Sequence, residues 1–119
     1  MVLVDTSVWV SHLRYGNDEL RRLLHDGEVL SHPFVVGELA CGNLKNRHAI
    51  LTYLQSLPMT ILAEDEEVLK FIENNQLMGK GLGYIDVHLI ASAVLTDAPL
   101  WSLDKTLDKF TKKIGINYW

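Results

Sequence analysis

The opening segment Val2-Leu3-Val4-Asp5-Thr6-Ser7 constrains this chain most. Three consecutive apolar residues, two of them β-branched, stop at three residue types favoured at helix N-termini. An apolar run without polar alternation suits a strand covered on both faces, as in a parallel sheet. The segment therefore reads as a short interior strand feeding a helix that carries Val8, Trp9 and Leu13 inward.

The same alternation continues along the chain. A helix from Asn17 or Asp18 carries Leu20, Leu23 and Leu24 on one face, and Glu28 to Ser31 reads as a second strand ended by His32-Pro33. From Phe34, Val35, Val36, Leu39 and Ala40 recur at helical spacing up to Gly42-Asn43, and another helix covers Arg47 to Gln55, burying Ile50, Leu51 and Leu54. Met59 to Leu62 predicts a third strand, Asp65 to Gln76 a helix, and Gly79 to Gly83 a glycine-rich loop. Asp86 to Thr96 reads as a largely buried helix, Leu100 to Leu103 as a strand delivering Asp104, Lys105 to Lys113 as a helix and Ile114 to Tyr118 as an edge strand. The fold class expected is α/β, a three-layer sandwich with a central parallel sheet flanked by helices. With no repeat or linker in 119 residues, it reads as a single domain over 1–119.

Composition narrows the setting. No apolar run approaches the ~18 residues of a membrane span, and the first one meets Asp5 before a signal-peptide core can form, so a cytoplasmic protein without a membrane partner is expected. Cys41, the only cysteine, lies between Ala40 and Gly42 and reads as a packed thiol in a reducing compartment. A formal charge of −4 argues against broad electrostatic attraction to nucleic acid.

Four carboxylates adjoin apolar segments: Asp5, Glu38, Asp86 and Asp104. Each alone has a structural explanation, as a helix N-cap for the three aspartates and as the edge of an amphipathic face for Glu38. Asp5 and Asp104 both follow predicted strands, and in open parallel sheets ligands bind at the carboxyl ends of strands. Four such charges gathered at ~6 Å spacing would repel by ~3 kcal/mol per pair at an effective dielectric near 20, so a cluster needs protons or a cation. An all-oxygen set suits Mg²⁺ or Mn²⁺ rather than zinc, and His12, His25, His32, His48 and His88 show no zinc-motif spacing. His88, two residues past Asp86, points away from it on a helix and reads as a packing or surface histidine.

Carboxylates around a cation, with no protein nucleophile nearby, suit hydrolysis of a phosphodiester by a metal-activated water. Thr6, Ser7 and Ser102 are possible supports through their hydroxyls. With four acids counted as metal ligands, −4 plus 4 leaves a neutral remainder, and the charge objection weakens. Arg14, Arg21, Arg22, Lys45, Arg47 and Lys80 are placed where they can meet phosphates, although such side chains are usually just a solvated surface. Asp108, one turn after Asp104, reads as a surface acid beside Lys105 and Lys112.

These residues resemble the PIN-domain family, and within it the VapC-type toxins, across essentially the whole chain. Val2-Leu3-Val4-Asp5-Thr6-Ser7 is similar to the family's opening strand and acidic motif, and Glu38-Leu39-Ala40-Cys41-Gly42 followed by Arg47 to its Glu-centred helix. Gly83 to Ala91, around Asp86, resembles the third acidic motif, and Leu100-Trp101-Ser102-Leu103-Asp104 the fourth, with Ser102 where threonine is common. The resemblance implies an Mg²⁺- or Mn²⁺-dependent endoribonuclease in which Asp5, Glu38, Asp86 and Asp104 are the catalytic, metal-binding set. It also implies a homodimer and a VapB-like antitoxin whose tail blocks the acidic pocket with an Arg or Lys.

Other functions fit less of the sequence. A DNA or structure-specific nuclease would share the metal chemistry and differ only in substrate recognition. A response-regulator receiver domain wants adjacent acids after its first strand, where this chain has Thr6 and Ser7. A catalytically silent module binding an antitoxin or nucleic acid would have no use for all four acids.

Overall fold

Val2–Val4 form β1, and all three side chains are buried, as a strand covered on both faces requires. The structure is a computed structural model describing residues 1–119. Asp5 breaks the run, and α1 (Thr6–Tyr15) leaves at once to pack Val8 and Trp9 beneath the sheet. Leu13 differs from the sequence reading: it is exposed, because α1 ends at Gly16 with its last turn beyond the core.

α2 (Asp18–His25) starts where expected, with the Asn17 side chain accepting the Leu20 amide, and buries Leu20 and Leu23. β2 (Val29–Leu30) follows, then α3 (Pro33–Ala40), with His32 as its N-cap and Pro33 at its first position, and α4 (Arg47–Ser56). α5 (Asp65–Asn74) opens on three acids, which suit a helix N-terminus. α6 (Tyr84–Thr96) is apolar on nearly every side, buries Val87 through Ala93 without a break, and so occupies the interior. β3 (Leu100–Trp101) and α7 (Lys105–Ile114) complete the chain.

The three strands lie in the order β2-β1-β3, both pairs parallel, with Leu3 opposite Leu30 on one side and Leu100 on the other. Helices lie between successive strands, so this is the expected parallel α/β sandwich. Two predicted strands shrink to single bridges: Met59 pairs only with Ser31, and Asn117 only with Leu100. Both are edge segments with one neighbour to pair with, and exposed Ile61 and Leu62 give the first nothing to pack beneath.

A core of fully buried Leu3, Leu20, Leu89, Ile90, Leu100 and Leu107 joins sheet, α2, α6 and α7. Each such side chain is worth ~1.5–3 kcal/mol of burial, enough to fix which way the strand ends face. Cys41 corrects the sequence reading: it is an exposed free thiol at the C-cap of α3, since that helix ends at the surface.

Candidate active site

The register sets the site. Continuing the β1 pairing by two residues places Asp5 beside His32 and Ser102, all at the carboxyl edge of the sheet. The Asp5 amide donates to the Trp101 carbonyl at 2.9 Å, so its backbone still belongs to the ladder while its side chain leaves it.

Asp5 occupies the N-cap position of α1 but does not cap it. Its Oδ2 instead accepts from Ser7 Oγ at 2.7 Å and from Ser102 Oγ at 2.8 Å. Those hydroxyls are themselves fixed, Ser7 Oγ by the Leu103 amide at 2.9 Å and Ser102 Oγ by the Asp104 amide at 3.0 Å. Asp5 is only 5% exposed, and both donors meet one oxygen, which leaves Oδ1 free for another partner. Ser7 and Ser102 thus both contact Asp5 through their hydroxyls.

Asp104 is a true N-cap, its Oδ1 accepting the Leu107 amide at 3.0 Å at the start of α7. Glu38 lies exposed on α3 and accepts from Thr6 Oγ1 at 2.8 Å, a bond that joins the helix after β1 to the helix after β2. α6 begins two residues earlier than the sequence suggested, so Asp86 falls in its first turn, where Oδ2 accepts the Gly83 amide at 3.1 Å.

Three of the acids feel one another's charge. Burial pushes the Asp86 carboxyl above its ordinary value, the Gly83 amide opposes that, and the negative charges of Asp5 and Asp104 raise it further. None of Asp5, Glu38, Asp86 or Asp104 is paired with a Lys, Arg or His; the chain's ion pairs lie elsewhere. No three His, Cys, Asp or Glu groups close tightly enough to enclose an ion by themselves. Each of the four carboxylates keeps one oxygen without a protein donor. Such an oxygen-only set fits a hard divalent cation that retains part of its water shell.

Two features escaped sequence reasoning. A cleft of about 690 Å³ runs between α1, α3 and the 42–46 turn, with Glu38 at its rim and Val10, Leu39, Leu44 and Ile50 on its walls. Beside the acids, His32 Nδ1 accepts the Phe34 amide while its Nε2 lies 3.3 Å from Ser92 Oγ, and burial followed by the charge of His88 lowers its pKa to about 4. His88 is buried as a packing residue, but its Nε2 lies 3.2 Å from Asp65 Oδ1. Only the i+2 spacing from Asp86 was readable for His88; the approach of Asp65 is tertiary.

A family model described as the PIN domain matches residues 2–113. Ribonuclease VapC32 of Mycobacterium tuberculosis, in the CDC 1551 / Oshkosh and ATCC 25618 / H37Rv strains alike, is 40% identical over 117 residues, which cover 98% of this chain and 94% of the relative.

Proposed function

The chain belongs to the PIN-domain family, and on that premise we propose that it is a VapC-type ribonuclease toxin, a single domain over 1–119 that cuts RNA internally at the carboxyl edge of its sheet. The observation that carries this reading is the link of Asp5 to the start of α7 at Asp104 through the Ser102 hydroxyl, with Asp86 near enough for both charges to raise its carboxyl and no basic side chain paired with any of the three. With Glu38 they would hold Mg²⁺ or Mn²⁺.

Such a cation, when bound, supplies Lewis acidity toward water and the scissile phosphodiester. The protein's own part is positioning. Ser7 and Ser102 lock the Asp5 carboxylate by one oxygen and leave the other without a protein donor. Thr6 does the same for Glu38, and the first turns of α6 and α7 hold Asp86 and Asp104 through backbone amides. The hydroxyls in this group, Thr6, Ser7 and Ser102, are bound to carboxylates and none has a histidine partner, which supports water as the attacking group.

A VapB-like antitoxin is the proposed partner. The apolar cleft that ends at Glu38 supports docking of an apolar segment whose following Arg or Lys would enter the acidic rim. A homodimer is also proposed, supported by the exposed apolar side chains Ile61, Val94 and Leu95 on two segments joined by the bond from the Ile61 amide to Thr96 Oγ1. No helix is long and apolar enough to cross a membrane, and the proposed location is the cytoplasm.

The test is incubation of the purified chain with matched single-stranded RNA and DNA in Mg²⁺. RNA cut at discrete positions with DNA intact is expected. Equal cutting of DNA would replace the proposal with a general nuclease, and an inert, folded protein would replace it with a silent binding module.

A further inference from the structure

The protein is acidic overall, yet its basic side chains are not spread evenly. A cleft of about 380 Å³, within the ~300–1,000 Å³ of ordinary ligand sites, lies between the 75–82 segment and α7, and Lys80, Lys109 and Lys113 line it with no acid among them. All three lysines are exposed and none forms an ion pair, whereas neighbouring Lys112 is held by Asp108 at 2.8 Å. Lys109 and Lys113 stand one turn apart on one face of α7, and half-buried Phe110 and Leu82 form an apolar floor beside them.

The cleft is built on two elements that also carry acids of the site. Asp104 caps α7, so at 1.5 Å per residue Lys109 lies about 7 Å and Lys113 about 14 Å along the axis from it. The glycine-rich loop that carries Lys80 also ends at Gly83, whose amide holds Asp86, and at Gly81 it comes close to Thr106 in the first turn of α7. A strand whose scissile phosphate sits among the acids therefore meets three unpaired cations on the next surface.

We infer that Lys80, Lys109 and Lys113 form a backbone-binding groove that grips phosphates of the RNA substrate flanking the cleavage site. The inference rests on the ribonuclease reading above. It also answers how a chain of charge −4 attracts a polyanion: attraction is local, and the remaining surface repels. Phosphate contacts of this kind set affinity and register without reading sequence.

The test measures both KM for cleavage and Kd by fluorescence anisotropy, using a labelled single-stranded RNA in Mg²⁺ across a KCl series. It compares wild type, the triple variant Lys80→Gln/Lys109→Gln/Lys113→Gln, its Lys→Arg counterpart, and a control of equal charge change carrying Gln55→Glu/Lys70→Glu on the exposed faces of α4 and α5. The Gln triple should raise KM and Kd roughly tenfold at low salt and flatten the log–log salt dependence by about 2, since each single-strand phosphate contact contributes about 0.7. The Arg triple should keep wild-type values, which separates lost charge from damaged folding. Wild-type affinity and slope in the Gln triple, or an equal loss in the control, overturns the groove. A wild type that binds RNA through these lysines without cutting it keeps the groove and overturns the ribonuclease reading. A wild type that neither binds nor cuts overturns both.

Discussion

Ser102 donates its hydroxyl proton to Asp5 Oδ2 across 2.8 Å of space and 97 residues of chain, tying the end of β3 to the end of β1. The same hydroxyl accepts the Asp104 amide at 3.0 Å, so one small side chain orients two of the four acids. Ser102→Ala should cut kcat/KM on a defined RNA by about 10–100-fold, the usual cost of losing an outer hydrogen bond to a ligand carboxylate. It should also lower stability by about 1–3 kcal/mol in a thermal or urea melt, because the Asp104 amide and Asp5 each lose a partner. Full activity in this variant would mean that Asp5 is held well enough by Ser7 alone.

Thr6→Val removes the only side-chain donor to Glu38. Because Glu38 is exposed, water replaces much of that bond, and the loss should be about 1 kcal/mol, roughly fivefold in rate. The ordering is the check: Thr6→Val should harm activity less than Ser102→Ala in the same assay.

Asp86→Asn should trade activity for stability. The Asp86 carboxyl titrates above its ordinary value in the fold, so the unfolded chain loses that proton first and the folded protein loses stability as pH rises through this interval. The amide removes the buried charge and still accepts the Gly83 hydrogen bond, so melting at pH 7 should occur at higher temperature than in wild type, with the difference vanishing in acid. A lower melting temperature at pH 7 would show that Asp86 is not held against its neighbours' charge.

His32 predicts the opposite pH trend. In the fold its pKa falls to about 4, against the ordinary 6.5, because burial and His88 disfavour the charged ring. Protonating Nδ1 would also displace the Phe34 amide that caps α3. The unfolded chain binds this proton first, so stability should fall as pH drops from 6.5 toward 4, by on the order of 3 kcal/mol. His32→Asn keeps an N-cap acceptor and should flatten the stability profile in that window; an unchanged slope would show that another group causes the acid sensitivity.

Much of this was legible in the sequence, for identifiable reasons. Val2-Leu3-Val4 read as an interior strand from its unbroken apolar, β-branched pattern, and Asn17 marked the start of a helix by its own capping chemistry. The four acids stood out because each interrupts or adjoins apolar sequence. Edge pairing was harder to read, since Met59 and Asn117 depend on one neighbouring strand rather than on their own pattern. The exposure of Cys41 and Leu13 depended on where α3 and α1 reach the surface, which small or apolar neighbours do not reveal. The bonds from Ser102 to Asp5 and from Thr6 to Glu38, and the grouping of Lys80 with Lys109 and Lys113, join segments distant in sequence and appear only once the fold brings them together.

The most direct test of the central claim, that Asp5, Glu38, Asp86 and Asp104 work as one site, is the single-turnover rate of RNA cleavage in Mg²⁺ and in EDTA for Asp5→Asn, Asp104→Asn and the double variant. One shared site predicts that EDTA abolishes cleavage, that each single variant loses most activity, and that the double variant is little worse than either, because groups acting as a unit are not additive. Cleavage that survives EDTA, or two small losses that multiply in the double variant, would contradict a single acidic site.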